Sequence, residues 1–180
     1  MDDEVRLIKK IQSGQKKEFQ HLISKYEKGC RTFFWQRCNG NLEVSRDLAQ
    51  EAFIRVFRNI NSLTQPEGFK AWLWTICRNV LIDYQRKEKC EQKLTRANFQ
   101  DRTTSPEKIA ETRQTVQKAI NELPENQKEI IELKYFWELS LEEVAQTLKA
   151  PLGTIKGRLT AARKRLFELL DQDSTDEKLS

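Results

Sequence analysis

The sequence lacks any long hydrophobic run. No stretch of its 180 residues approaches the roughly 18 consecutive apolar residues that a membrane-spanning helix requires. Its first residues, MDDEVRLIKKIQ, are acidic and then amphipathic, and they lack the basic start and apolar centre of a secretory signal peptide. We therefore expect a cytoplasmic protein with no direct insertion into a membrane.

Histidine and paired cysteines, which build metal sites and nucleophilic active sites, are also scarce. His21 is the single histidine, and no two of the four cysteines have the C-x2-C or C-x4-C spacing of a zinc site. We interpret Cys30, Cys38, Cys77 and Cys90 as reduced, mostly buried apolar residues. The sequence predicts no metal site, no cofactor and no catalytic residue, which argues against an enzyme.

Four prolines and six glycines lie mainly between stretches with helical periodicity, and this pattern predicts an all-α protein. A polar stretch without strong periodicity, residues 89–108, is predicted to be a flexible linker. It would join two small helical domains, residues 1–88 and 109–172, and an acidic tail would follow at 173–180. The predicted helices span residues 3–12, 16–37, 43–59, 67–88, 107–122, 124–136, 141–149 and 154–170.

Positive charge is concentrated near the C-terminus. GTIKGRLTAARKRL, residues 153–166, has five cations and no acid, and its apolar residues recur at helical spacing. The preceding segment, SLEEVAQTLKA, begins with a capping box of Ser140 and Glu143, and APLG provides a tight turn. Two short helices joined in this way are typical of a helix-turn-helix, whose second helix enters the DNA major groove. A solvated basic surface is the alternative, although acids normally intersperse on such a surface.

The helix predicted around residues 45–60, SRDLAQEAFIRVFRNI, has an outer face of a different kind. Its outward positions are Asp47, Gln50, Glu51, Ile54 and Arg58, and Phe57 lies on the border with the core. Acidic residues beside exposed apolar side chains suit another protein better than they suit DNA. An ordinary solvated helix face is the alternative.

The segment FKAWLWTICRNVLIDYQRK, residues 69–87, is rich in aromatic residues. One broad face is interpreted as core, and its residues are Phe69, Trp72, Leu73, Ile76, Val80 and Tyr84. The opposite side carries Trp74, Arg78, Ile82, Gln85 and Arg86. An exposed tryptophan among arginines can stack on an unpaired base while the cations bind phosphates, so this side is a candidate surface for single-stranded DNA.

These three segments, in this order, resemble the extracytoplasmic-function group of bacterial sigma factors, within the sigma-70 family. The resemblance runs from about Phe19 to Leu170. It is carried by DLAQEAFIRVF, FKAWLWTICRNVLIDYQRK, LPENQKEIIEL and LSLEEVAQTLKAPLGTIKGRLTAARKRL. The resemblance implies one domain like sigma region 2 and one like sigma region 4. It also implies that core RNA polymerase supplies the chemistry and the magnesium, while this chain directs transcription initiation to specific promoters.

The resemblance further implies roles for individual residues. The clamp helices of the largest catalytic polymerase subunit would be bound by Asp47, Gln50, Glu51, Ile54 and Phe57. The −10 promoter element, with a flipped base held by the loop at 60–68, would be bound by Asn61, Ser62, Lys70, Trp74, Arg78 and Arg86. The −35 element would be bound by Thr154, Lys156, Gly157, Arg158, Thr160, Arg163 and Lys164. The region 4-like domain would also contact the flap of the second polymerase subunit.

The resemblance also implies a mode of regulation, but it does not give the promoter sequence. The family implies a stress or envelope response and an anti-sigma factor that covers the polymerase-binding face. The sequence departs from common family patterns at Gly157, where serine is frequent, and at Ala161, where arginine is frequent. Leu73 stands where housekeeping sigma factors have a second tryptophan that helps to melt DNA. We therefore expect a −35 sequence of its own and weak intrinsic melting.

Three other functions explain less of the sequence. A stand-alone helix-turn-helix regulator, dimeric on a palindromic operator, would account for residues 120–170 but would leave the 45–60 face and the aromatic helix without a role. A cysteine-dependent enzyme has little support from His21 and the scattered cysteines. An adaptor that binds only proteins would show no salt-dependent DNA binding, whereas phosphate contacts make affinity fall steeply with salt.

Overall fold

The computed structural model describes the backbone of residues 3–38, 40–94, 116 and 118–176, and the side chains of 3–38, 40–88, 116 and 118–171. Across these ranges every regular element is helical. The chain divides between Thr103 and Thr104 into two compact units. The all-α fold with two helical units, predicted from sequence, is confirmed. No helix in the described ranges is long and apolar enough to cross a membrane.

Four helices form the N-terminal unit: α1 (Asp3–Gln12), α2 (Phe19–Arg37), α3 (Leu42–Asn59) and α4 (Phe69–Leu94). Short 3-10 turns precede α2 at Lys16–Glu18 and connect α3 to α4 at Ile60–Ser62 and Pro66–Gly68. Helix α4 starts two residues later than predicted and continues six residues further. The segment KCEQKL at 89–94 extends the helix because it contains no glycine or proline and is rich in good helix formers.

The linker predicted at residues 89–108 therefore begins inside a helix. Its remaining residues, 95–108, lie outside the described residues, as do most of the helix predicted at 107–122 and part of the tail predicted at 173–180.

The core of the N-terminal unit is formed where α3 packs against both α2 and α4. Phe34, Phe69 and Leu73 are completely buried there. Cys30 and Cys77 are buried as well, with 3.8 Å between their sulfur atoms. Burial raises the pKa of the Cys77 thiol well above its ordinary value, because the interior disfavours the thiolate. These two cysteines are core residues, as the sequence predicted.

The C-terminal unit places two short helices against one long one. Residues 118–122 are the described end of α5, and α6 (Glu125–Ile131) continues as a π-helical turn at Glu132–Phe136. Helix α7 (Leu141–Thr147) and helix α6 both pack against α8 (Leu152–Asp176). Pro124, expected within the first turn of its helix, is instead the N-cap of α6.

The helix-turn-helix is formed by α7 and α8, and its local signals act as the sequence predicted. The Ser140 hydroxyl accepts a 3.1 Å hydrogen bond from the amide of Glu143. The Glu143 carboxylate in turn accepts a 2.7 Å bond from the amide of Ser140, which completes the capping box. After α7 the chain turns through Lys149, whose φ of +51° lies in the left-handed region. Pro151 then precedes α8, so the two helices are joined by a tight turn.

Candidate protein and nucleic-acid interfaces

Helix α8 is held to its unit by one apolar stripe. Ile155 and Ala162 are completely buried, Leu159 is nearly so, and Leu166 is half-buried. The opposite face is open to solvent, apart from the half-buried Arg158. The exposed residues of that face are Thr154, Lys156, Gly157, Thr160, Ala161, Arg163 and Lys164. Six of the seven residues predicted to bind the −35 element are therefore exposed on one helix, and the seventh, Arg158, is half-buried on the same helix.

The exposed face of α8 has a residue without a side chain near its N-terminal end, and side chains held by contacts near its centre. Among the described residues, no atom beyond the adjoining backbone of α8 lies within 4 Å of the place where a Cβ on Gly157 would stand, so another surface can approach the helix closely at this point. The Thr160 hydroxyl donates a 3.0 Å bond to the carbonyl of Lys156 within the same helix. The Arg163 guanidinium lies 5.7 Å from the ring centre of Tyr135, a cation–π contact that limits its freedom. A helix of this kind suits a DNA groove.

The outer face of α3 has the mixed character that the sequence predicted. Asp47 and Gln50 are exposed, and Glu51 is half-buried. Ile54 and Phe57 expose 37% and 42% of their surface and, three residues apart on the helix, are neighbours on its outer face. An acidic edge beside two accessible apolar residues provides both electrostatic attraction and apolar contact area for a protein partner.

Two of these α3 residues, Glu51 and Phe57, are held in place by neighbouring side chains. The Arg55 Nε donates to a Glu51 carboxylate oxygen at 2.8 Å, and Arg55 also pairs with Asp83 on α4. The ring of Phe57 packs edge-on against Phe19, with 5.0 Å between ring centres. Arg55 lies four residues after Glu51, a spacing typical of helical ion pairs, and this signal was present in the sequence.

The connection between α3 and α4 presents two polar side chains. Asn61 and Ser62 are exposed in the 3-10 turn at Ile60–Ser62. The Ser62 hydroxyl donates a 2.7 Å bond to the carbonyl of Asn59, which fixes its direction. Further along, Lys70 and Arg78 are half-buried and Arg86 is exposed.

Trp74 is not exposed, and the prediction of an accessible stacking ring at this position is wrong. Only 3% of its surface is accessible, and its buried indole nitrogen has no hydrogen-bond partner among the residues that the structure describes. The buried arc of α4 is shifted from the predicted one, because α2 and α3 both cover the helix. Trp72, Ile76 and Tyr84, which were predicted to be core, are half-buried. The buried residues are Phe69, Leu73, Trp74, Cys77, Val80 and Leu81. Arg78, with its guanidinium 5.8 Å from the Trp74 ring centre, covers that ring on the solvent side.

Comparison with known proteins identifies the family. Residues 22–90 match the family Sigma-70 region 2, and residues 113–166 match the family Sigma-70, region 4. The ECF RNA polymerase sigma factor SigW of Bacillus subtilis is 32% identical over 177 residues, which cover 91% of this chain and 94% of SigW. The chain belongs to the ECF sigma factors of the sigma-70 family. SigM of the same organism is 33% identical over 138 residues, covering 74% of this chain and 84% of SigM.

A solved sigma factor structure agrees with this assignment, and a second solved structure shares the fold. The sigma factor RpoE of Bartonella quintana, in complex with the anti-sigma factor NepR, is 28% identical and superposes with a TM-score of 0.71 over 86% of this chain and 98% of RpoE. CnrH in complex with the cytosolic domain of CnrY, at 22% identity, shares the fold with a TM-score of 0.70 over 96% of this chain and 99% of that chain.

The family predicted from the four sequence motifs is therefore confirmed. As an ECF sigma factor, the protein is a transcription initiation factor, and a stand-alone helix-turn-helix regulator is not favoured. The region 2 match includes α3 and most of α4, and the region 4 match includes α6, α7 and the basic part of α8. Helix α1 lies outside both matched ranges.

Proposed function

We propose that this sigma factor binds core polymerase through α3, the −10 element through the α3–α4 turn and α4, and the −35 element through α8. The observation that carries the proposal is the contrast between two exposed faces on separate units. The face of α3 is mainly acidic and apolar, with Arg58 as an exposed cation, and the face of α8 is basic. The first suits a protein and the second suits DNA, and a sigma factor requires both.

The polymerase-binding face comprises Asp47, Gln50, Glu51, Ile54 and Phe57, and its partner is the clamp-helix region of the largest catalytic subunit. The two apolar side chains supply the central contact, since large buried side chains usually dominate binding energy. Arg55 holds the Glu51 carboxylate in one direction, so less side-chain freedom is lost on binding.

The −10 element is bound by Asn61 and Ser62 of the turn, with Lys70, Arg78 and Arg86 along α4. Asn61 and Ser62 contact the bases, and the cations contact phosphates of the opened strand. Trp74 contributes from beneath, because its buried ring supports the Arg78 guanidinium. This indirect role of Trp74 differs from base stacking on an exposed ring. It fits a side chain of which only 3% is exposed.

The −35 element is bound by the open face of α8. Thr154, Lys156, Gly157 and Thr160 lie nearest the bases, while Arg158, Arg163 and Lys164 contact phosphates. Phosphate contacts supply affinity and set the position of the helix, and base contacts supply specificity. The region 4-like unit also contacts the flap of the second polymerase subunit.

Each of the three contacts, with polymerase, the −10 element and the −35 element, has modest affinity on its own. Core polymerase brings them together in one complex. Once α3 is bound to the enzyme, the two DNA contacts become intramolecular, which raises their effective concentration. An anti-sigma factor that covers these faces would stop initiation, and the related RpoE bound to an anti-sigma factor supports this mode of control. Such regulation fits a stress or envelope response, and a polymerase subunit would act in the bacterial cytoplasm.

Reconstitution tests the proposal. Core polymerase without any sigma factor is mixed with the protein and a genomic fragment library, and the RNA 5′ ends are sequenced. Discrete starts that share −10 and −35 elements are expected. If the protein does not bind core polymerase, and instead binds a palindrome tightly on its own, the proposal is wrong.

A matched pair of variants tests the polymerase-binding face. Ile54→Lys is expected to lower core affinity by about tenfold or more, as for an interface residue worth roughly 1.4 kcal/mol or above. Leu42→Lys is the control, because Leu42 is also apolar, exposed and on α3 but lies outside the proposed face. Equal effects of the two substitutions would contradict the assignment of α3.

A further inference from the structure

Gln12, the last residue of α1, joins the start of the chain to the turn between α3 and α4. Its side-chain amide nitrogen donates one hydrogen bond to the carbonyl of Ile60 at 2.8 Å and another to the carbonyl of Leu63 at 2.9 Å. The partners are 48 and 51 residues away in sequence. An amide NH₂ has two hydrogens, so both are used in this contact.

The two carbonyls stand on either side of Asn61 and Ser62. Other bonds of the turn are local: the Leu63 amide donates to the Ile60 carbonyl at 3.2 Å, and the Ser62 hydroxyl donates to the Asn59 carbonyl. Local bonds define the shape of a turn but do not fix its position on the rest of the molecule. Gln12 belongs to another helix, and it holds the backbone on both sides of Asn61 and Ser62.

Helix α1 is a firm support for this contact. Val5, Ile8 and Ile11 are buried, so the helix is packed against the unit along its length. The turn contributes its own anchors, because Ile60 is 3% and Leu63 is 9% exposed. The backbone that carries Asn61 and Ser62 is thus held by the buried side chains of Ile60 and Leu63 and by the two hydrogen bonds of the Gln12 amide. The side chains of Asn61 and Ser62 themselves are exposed to solvent.

We propose that Gln12 is a positioning residue for recognition of the −10 element. The inference rests on the proposed function, in which Asn61 and Ser62 contact the bases. Gln12 touches no DNA itself. It sets the distance and angle at which the turn meets the DNA, so it governs discrimination among −10 sequences and leaves polymerase binding and −35 recognition unchanged.

The test uses reconstituted holoenzyme with Gln12→Glu and Gln12→Leu. Glutamate keeps the shape of the side chain, but its carboxylate cannot donate and would face two carbonyl oxygens; leucine removes the polar group. Gln20→Glu and Gln20→Leu are the controls, since Gln20 is exposed on α2. Three quantities are measured: affinity for core polymerase, the rate ratio for matched against mismatched −10 elements, and the same ratio for −35 elements.

Both Gln12 variants are expected to lower the −10 ratio by about fivefold or more, the scale of one or two lost hydrogen bonds. The −35 ratio, core affinity and both Gln20 controls should change less than about twofold, a difference of roughly 0.4 kcal/mol. A general loss of folding would lower all three quantities together, and that result would overturn the inference. An unchanged −10 ratio in both variants would also overturn it.

Failure of the proposed function gives a different result. If wild-type holoenzyme does not distinguish −10 sequences at all, the assignment of Asn61 and Ser62 is wrong and the role of Gln12 falls with it. If the wild type discriminates and the Gln12 variants discriminate equally well, only the inference about Gln12 is wrong.

Discussion

Arg55 and Asp83 form an ion pair that ties α3 to α4, with 2.8 Å between Nη1 of the arginine and Oδ2 of the aspartate. The same guanidinium binds Glu51. The hydrogen bond to Glu51 and, in second place, the bond to Asp83 raise the pKa of Arg55 above its ordinary value, so Arg55 stays positively charged. Through Arg55, Glu51 of the proposed polymerase-binding face is therefore linked to α4, the helix proposed to bind the −10 element.

Asp83→Asn should lower affinity for core polymerase although Asp83 lies outside the proposed interface. The substitution frees Arg55 from α4 and so weakens its hold on Glu51. We expect a loss of about two- to fivefold, in line with a coupling of roughly 0.5–1 kcal/mol for partly exposed charges. In an Arg55→Met background the same substitution should have no further effect. Additive losses in this double-mutant cycle would show that the two helices are not linked through Arg55.

Lys156→Ala should weaken use of the cognate promoter. If Lys156 contacts a phosphate, the slope of log affinity against log salt should fall by about one unit; if it contacts a base, discrimination at one −35 position should relax by about 1–3 kcal/mol. Lys118→Ala, an exposed lysine of α5, is the control. Specific transcription that survives combined substitution of Lys156, Arg158 and Thr160 would exclude α8 as the reading helix.

Trp74→Phe should retain promoter opening. The substitution keeps an aromatic ring beneath Arg78 and removes an indole nitrogen that is buried without a hydrogen bond. We expect Trp74→Phe to cost less stability than Trp74→Ala, because phenylalanine fills most of the space that the indole occupies, whereas Trp74→Ala should cost about 3–5 kcal/mol. Thermal unfolding and permanganate footprinting of the opened strand measure the two effects. Lost opening with unchanged stability in Trp74→Phe would restore a direct role for the indole.

Lys149→Gly should stabilise the C-terminal unit. Lys149 has a φ of +51°, a conformation that costs a residue with a Cβ about 1–2 kcal/mol and that glycine adopts freely. Glycine also has more freedom to lose on folding, so the expected net gain is about 0.5–1 kcal/mol. Gln146→Gly, in the last turn of α7, is the control and should cost up to about 1 kcal/mol. Chemical denaturation measures both, and equal destabilisation by the two glycines would contradict the explanation.

Features governed by neighbours in sequence could be predicted before the structure was known. The capping box of Ser140 and the apolar stripe of α8 follow from residues three or four apart, which interact wherever a helix forms. The exposed face of α3 followed from the same periodicity.

Features governed by distant neighbours could not. Helical periodicity shows that α4 has a buried face, but α2 and α3 decide how wide that face is, and so Trp74 was assigned to the wrong side. The contacts of Gln12 with the 60–63 turn and of Arg55 with Asp83 join segments far apart in sequence. No local pattern contains such pairs.

The open space around Gly157 has a consequence for how such proteins diversify. Because nothing packs against this position, a larger side chain can be introduced without disturbing the fold. A gene copy could therefore acquire a new set of target promoters through one or two surface substitutions, while its attachment to the shared polymerase stays unchanged. The same freedom makes the position a practical starting point for building sigma factors that serve synthetic promoters without cross-talk.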